Sequence, residues 1–178
     1  MRYLLAVALL AFTFTGCEKD KNEEDHSAAS LNFSSYSRYD INGTYLGSIG
    51  NTSDEKTDED WPQWVFDLFA PLDTTDLTGY VKSEVTMEKI FPNPAADTQI
   101  VQVFATQPVN LQLVLIDNQQ NVYLRRSIHV PSTIQKIGLS YKGLNMVPNT
   151  NYRMFYAFSV EGQKHYKRGH IDIAYKHE

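Results

Sequence analysis

Beyond residue 79 the chain alternates apolar and polar residues with a period of two, which is the pattern of half-buried β-strands. In the clearest stretch, four apolar side chains share one face: Val109, Leu111, Leu113 and Leu115. Seven such segments occur, at 81–88, 100–105, 109–116, 122–130, 134–141, 151–160 and 163–175. Seven short strands within about a hundred residues predict a mainly β fold, an immunoglobulin-like antiparallel β-sandwich over residues 79–178.

A hairpin is predicted upstream of the sandwich, in an N-terminal extension at 31–78. Asn42-Gly43 lies between short apolar and aromatic flanks that begin at Tyr39 and end at Leu46. An Asn-Gly pair in such a setting favours a hairpin closed by a two-residue type I′ turn.

One short helix is predicted in the same extension. Large apolar residues recur there at helical spacing: Trp61, Trp64, Val65, Leu68 and Phe69. Asp60 is placed to cap this helix, Pro62 fits its first turn, and Ala70-Pro71 would end it. The helix therefore presents one apolar face, which we expect to pack on the sandwich.

The first sixteen residues have the pattern of a secretory signal peptide. Arg2 precedes an apolar run at 3–14 that is too short to span a bilayer as a stable helix. Thr15-Gly16-Cys17 resembles the lipobox of bacterial lipoproteins, and this resemblance implies cleavage before Cys17 and attachment of lipid to that residue. The alternative is a soluble secreted protein. Cys17 is the only cysteine, so no intrachain disulfide can form.

Residues 17–30 form an acidic segment without any apolar side chain larger than alanine, so we expect an unfolded, flexible tether. The lysines and acids directly after Cys17 resemble the surface-export tag of lipoproteins in bacteria of the Bacteroides type. That resemblance implies a domain facing the outside medium. The alternative is a spacer without an address, and in either case we expect a lipid-anchored protein of the outer membrane.

The net charge of −5 is unevenly distributed along the chain. Residues 17–121 contain eighteen acids against six Lys and Arg, whereas residues 122–178 contain three acids against nine. The asymmetry favours either an anionic partner, such as an acidic glycan or lipopolysaccharide, or acidic loops that lie beside a basic sheet. Nucleic acid is not an expected partner of an exported protein with a net acidic balance.

Sequence motifs for catalysis are absent. The chain has no glycine-rich phosphate loop, no Gly-x-Ser-x-Gly and no His-Glu-x-x-His. One cluster has residue types that bind metals: His165, His170, Asp172 and His177. Its spacing does not enforce a zinc site, and His170 and Asp172 are expected on a solvated strand face. Ser127 and His129 share a face without an acid to orient the histidine. We expect no enzyme, no metal and no cofactor.

Aromatic residues are numerous, with eleven tyrosines and two tryptophans. Those clustered in the N-terminal part are Tyr36, Tyr39, Tyr45, Trp61 and Trp64. Carbohydrate sites use flat aromatic faces beside polar donors, so these five are candidate ligand-binding residues. Alternatively, the tryptophans anchor the helix on the sandwich and the tyrosines pair across strands.

Two further resemblances concern the sandwich. The segment from Gly143 to Tyr152, with Pro148 and Thr150, resembles the tyrosine corner of fibronectin type III domains, which implies a structural role for Tyr152. Residues 89–96, Lys-Ile-Phe-Pro-Asn-Pro-Ala-Ala, resemble the opening of the type IX secretion sorting domain, and this resemblance extends over 89–178.

A short motif in the extension, Asp73-Thr74-Thr75, resembles the O-glycosylation site of exported proteins in bacteria of the Bacteroides type, which implies a glycan on Thr74. Together these patterns predict a lipid-anchored extracytoplasmic protein that acts as a non-catalytic binding or structural accessory. One alternative is a glycan-binding surface lipoprotein beside an uptake system. Another is a type IX cargo that is processed near Phe91. An envelope protein or a glycan is the expected partner, in addition to the membrane itself.

Overall fold

Residues 31, 33, 35–50, 56–57 and 60–176 are described by the computed structural model, whereas the predicted signal, tether and Cys17 lie outside the described residues. The described part contains one α-helix, α1 (Gln63–Phe69), which continues into a 3₁₀ turn (Ala70–Leu72). Its strands are β1 (Tyr36–Tyr39), β2 (Tyr45–Ile49), β3 (Lys56–Thr57), β4 (Val85–Phe91), β5 (Thr98–Ala105), β6 (Val109–Ile116), β7 (Val122–Val130), β8 (Thr133–Ser140), β9 (Thr150–Val160) and β10 (Gln163–Tyr175).

The strands from β4 onward form two antiparallel sheets. One sheet has the order β4-β5-β8, and the other has the order β3-β10-β9-β6-β7, in which the short β3 comes from the N-terminal extension. If β4 to β10 are lettered A to G, one sheet has the order A-B-E and the other has the order G-F-C-D. The fourth strand, D, is β7, and it lies beside C. This is an immunoglobulin-like arrangement, although constant-type domains place their fourth strand beside E. The predicted fold class is confirmed.

The core lies between the two sheets, and β6 is buried along its whole length. Its residues Leu111 and Leu113 face the opposite sheet, as the alternating pattern predicts. Val114 and Ile116 point the other way and join a second cluster, formed by α1 with the outer face of β6 and β9, which we call the outer cluster. The extension therefore covers one face of the five-stranded sheet, which explains why β6 is buried on both sides.

The helix differs from its prediction at its N-terminal end. α1 begins after Pro62, whose backbone is extended, and no side chain caps it. Asp60, the expected cap, instead forms an ion pair with Arg168 at 3.8 Å. At the other end α1 stops at Phe69, directly before Ala70-Pro71 as predicted, and the 3₁₀ turn follows. Side chains of the sheet form hydrogen bonds with this part of the chain. Gln112 Nε2 donates to the carbonyl of Leu72 at 3.0 Å, and Arg125 Nε donates to the carbonyl of Leu68 at 2.9 Å.

The hairpin β1–β2 forms as predicted, but the prediction of a type I′ turn is wrong. That turn requires positive φ at both central residues, whereas only Gly43 of the pair has it, at 79°. The Gly43 N–H donates to the Asp40 carbonyl at 3.0 Å, which gives a three-residue loop. The Asp40 carboxylate explains this choice, because it accepts the N–H groups of Asn42 and Thr44 at 2.9 and 2.7 Å.

Two details of the strands were not predictable from alternation. β4 begins at Val85, and Val81 lies before it, about half exposed. Val122 does not share a face with Leu124, because the pairing of β6 with β7 shifts between Leu115 and Ile116. That bulge turns Val122 toward the outer cluster. Among the described helices, none has the length and apolar character that crossing a membrane requires.

Candidate functional site

One concave site of the described structure is a groove of about 490 Å³ where the hairpin β1–β2 meets the sandwich. The hairpin contributes Tyr36, Arg38 and Ile49 to its wall. The sandwich contributes residues 94–96, Pro-Ala-Ala, and Lys176, which follows β10. The volume lies within the range of about 300–1,000 Å³ that is usual for small-ligand pockets. We call this feature the hairpin groove.

Two cations and no described carboxylate line the hairpin groove. Arg38 and Lys176 are both exposed, and neither forms an ion pair with a carboxylate of the described residues. A concave surface that is lined by cations and has low-dielectric walls has a concentrated positive electrostatic potential. The groove therefore favours a ligand that carries negative charge.

Asn93 holds the hairpin against the sandwich, between two cis peptide bonds at Phe91-Pro92 and Asn93-Pro94. Its backbone exchanges two hydrogen bonds with Tyr39, at 2.9 and 3.0 Å. Its buried side-chain amide donates to the carbonyls of Ser37 (2.9 Å) and Asp172 (3.0 Å) and accepts the N–H of Ala174 (3.0 Å). One residue thus joins β1 to β10 beside the hairpin groove.

The five candidate aromatic residues do not form one platform. Trp61 is buried, stacked on Phe69 with ring centroids 5.1 Å apart, and Trp64 packs edge-on against Phe155 at 5.9 Å. Both tryptophans therefore pack α1 on the sheet, and the ring of Trp61 is not open to a ligand. The expectation of a ligand-binding role for Trp61 is corrected accordingly, because packing of the outer cluster uses its ring.

The three tyrosines lie on the hairpin and have different surroundings. Tyr39 and Tyr45 pack across the strands with ring centroids 5.6 Å apart, and the Tyr45 hydroxyl bonds Ser48 Oγ at 2.7 Å. Tyr36 is half-buried and lies in the wall of the hairpin groove. Of the five aromatic candidates, Tyr36 is the one that the groove includes.

His170 and Asp172 do not lie on a solvated face, so that expectation is wrong. Both are buried, and Arg153 of the neighbouring strand forms a bidentate pair with Asp172, at 2.6 and 2.8 Å. The Arg153 guanidinium also lies 4.5 Å from the ring centroid of Phe33. The N-terminal segment covers this face, which the alternation within β10 could not reveal. Within the described residues no group of His, Cys, Asp and Glu is arranged to hold a metal, and His177 lies outside them.

His165 is buried away from the hairpin groove, in a left-handed backbone conformation with φ 51°. Its Nε2 lies 3.2 Å from Asp73 Oδ1, and the rings of Phe66 and Phe69 pack against it. Burial lowers the pKa of His165, and the carboxylate of Asp73 offsets this lowering in part. The pair connects the residue that follows the 3₁₀ turn to β10.

The remaining candidate side chains occupy separate places. Ser127 exchanges hydrogen bonds with Asn110, whereas His129 Nδ1 bonds the Tyr80 hydroxyl at 3.0 Å, so the two form no catalytic pair. Thr74 is exposed on the turn after α1. The buried Tyr152 hydroxyl accepts the N–H of Val147, five residues upstream, at 2.7 Å, and this bond is the structural role that its sequence pattern implies.

Sequence reasoning missed three residues of the site: Arg38, Asn93 and Lys176. Arg38 lies in a stretch rich in serine and tyrosine, Lys176 lies near the other end of the chain, and no periodicity connects them. The one sequence signal for this site was the Pro-Asn-Pro segment. It indicated an unusual backbone conformation but did not indicate that Asn93 pairs with β1.

No protein-family model matches the chain, and no curated protein matches it. Among solved structures, dimeric latent PorU from Porphyromonas gingivalis is similar over 56% of this chain, with 12% identity and a TM-score of 0.46. The matched part amounts to 10% of that protein. A likeness of this degree assigns neither a family nor a function to the chain.

Proposed function

We propose that the protein is a lipid-anchored, non-catalytic binding accessory of the outer membrane, and that the hairpin groove takes its ligand. The groove is the observation that carries the proposal. It combines a volume suited to a small ligand with two cations that have no described carboxylate partner.

The polar side chains elsewhere support a role without catalysis, because most of those that were candidates for chemistry have structural partners. Asp172 is paired with Arg153, Ser127 with Asn110, and His165 faces Asp73. A catalytic site needs a nucleophile and a base that face a space for substrate. The hairpin groove has cations and an aromatic ring in its wall, a set that binds a ligand without transforming it.

The anchoring part of the proposal depends on Cys17 and is tested by cell fractionation. The wild-type protein and Cys17→Ala are expressed in a bacterium of the Bacteroides type and detected with antibody to the sandwich. Wild type is expected in the outer-membrane fraction, because several acyl chains anchor a protein stably. The variant is expected in the soluble fraction. Wild type in the soluble fraction, or the variant in the membrane, would contradict the proposal.

A further inference from the structure

We infer that the ligand of the hairpin groove is an acidic saccharide, a sugar that carries carboxylate or sulfate. This inference rests on the proposed binding function and specifies its ligand class. It assigns the charged contacts to Arg38 and Lys176 and the ring contact to Tyr36.

The charge of the groove selects an anion. The chain as a whole is acidic, with a net charge of −5, yet the groove wall holds two cations and no described carboxylate. A guanidinium offers a planar pair of donors that matches carboxylate and sulfate, and an ammonium adds a second, mobile charge. The two cations come from β1 and from the residue that follows β10, and both line the groove.

The size and lining of the groove favour a sugar over a small inorganic ion. A volume of about 490 Å³ far exceeds that of one sulfate or phosphate. Ala95 and Ala96 leave room at the wall, while Ile49 and Pro94 give it apolar character. A sugar ring has both C–H faces and hydroxyl edges, and the phenol ring of Tyr36 offers a flat surface with a polar tip.

The walls are positioned before a ligand arrives. Tyr36 and Arg38 lie on β1, which pairs with β2 and is bonded to Asn93 of the sandwich. Lys176 is held through its backbone, whose N–H donates to the carbonyl of Ala95 at 2.7 Å. Preorganised walls reduce the entropy that binding must otherwise overcome.

The test uses the full-length lipidated protein in detergent micelles and isothermal titration calorimetry. The probes are tetragalacturonate, its fully methyl-esterified form, a heparin-derived tetrasaccharide and inorganic sulfate. The ester keeps the sugar rings and removes the charge. The variants are Arg38→Gln and Lys176→Gln, and Arg126→Gln at an exposed position of β7 is the matched control. The unfolding temperature of each variant is measured to verify that it is folded.

We expect at least one acidic oligosaccharide to bind more tightly than both the ester and inorganic sulfate. Loss of one charge-assisted contact is expected to weaken binding about tenfold or more for Arg38→Gln and for Lys176→Gln, with Arg126→Gln unchanged. Equal affinity for acid and ester would overturn the inference, as would equal affinity for inorganic sulfate or wild-type affinity in the folded Arg38→Gln. Failure of both acidic probes would also overturn it. None of these outcomes bears on anchoring, which the fractionation of Cys17→Ala tests by itself.

Discussion

At the scale of single residues, buried polar groups give this protein a dependence on pH. His165 is surrounded by Asp73 of the 3₁₀ turn, by Lys164 and Arg168 of its own strand, and by aromatic rings of α1. Burial favours the neutral imidazole, so its pKa is lower in the folded protein than in the unfolded chain, where it is near 6.5. The carboxylate of Asp73 favours the charged imidazolium, so it reduces this lowering of the pKa of His165.

The lowered pKa of His165 makes the free energy of unfolding depend on pH. Because the unfolded chain binds the proton more readily, folding stability at this site is fully present above pH 6.5 and declines as the pH falls through that value. We expect the free energy of unfolding, measured by urea denaturation, to decrease between pH 7.5 and pH 5.5, and to decrease less in His165→Gln. Gln107→Ala, an exposed position that carries no titratable group, is the control and should keep the wild-type decrease. An identical decrease in His165→Gln and wild type would contradict the prediction.

Other buried polar residues show why local polarity does not specify exposure. Asp117 is buried in the β6–β7 turn, where its carboxylate accepts the N–H groups of Gln119 and Asn121 at 2.8 and 2.9 Å. Burial alone would raise the pKa of Asp117, but the hydrogen bonds that the carboxylate accepts lower it below its ordinary value. The sequence predicts the turn, whereas the satisfied, buried state of its first residue requires the folded neighbours.

At the scale of elements, the attachment of the hairpin depends on Asn93. Asn93→Ala removes three side-chain hydrogen bonds and leaves the buried N–H of Ala174 without its acceptor. We expect a loss of about 2–4 kcal/mol in the free energy of unfolding, together with faster proteolysis within residues 36–49. Chemical denaturation and limited proteolysis measure the two effects.

The control for that prediction is Asn118→Ala, an exposed asparagine in the β6–β7 turn, which should change stability by less than about 0.5 kcal/mol. Unchanged stability and unchanged proteolysis in Asn93→Ala would show that the hairpin is attached by other contacts. Weaker attachment should also lower the affinity of the hairpin groove for its ligand, because β1 forms one of its walls.

At the scale of the whole molecule, the type IX resemblance begins at residue 89, which is the middle of β4. Cleavage near Phe91 would remove Val85 and Met87 from the core and leave β5 without a neighbour on one side. We therefore expect a fragment of residues 92–178 to show no cooperative thermal unfolding by circular dichroism. The chain of residues 18–178 should unfold cooperatively, whereas a stable, cooperative 92–178 fragment would support the cargo alternative.

The sequence by itself determined the seven strand-forming segments of the sandwich and the position of the helix, because alternation and helical spacing are local consequences of which side is buried. The lipidation of Cys17 and the flexible tether stay predictions, because both lie outside the described residues. The tertiary structure decided what depends on distant partners. It turned Val122 outward through a bulge, buried Asp172 beside Arg153, and brought Arg38 and Lys176 to one groove. No local pattern records such meetings, because they arise when strands far apart in the chain become neighbours in space.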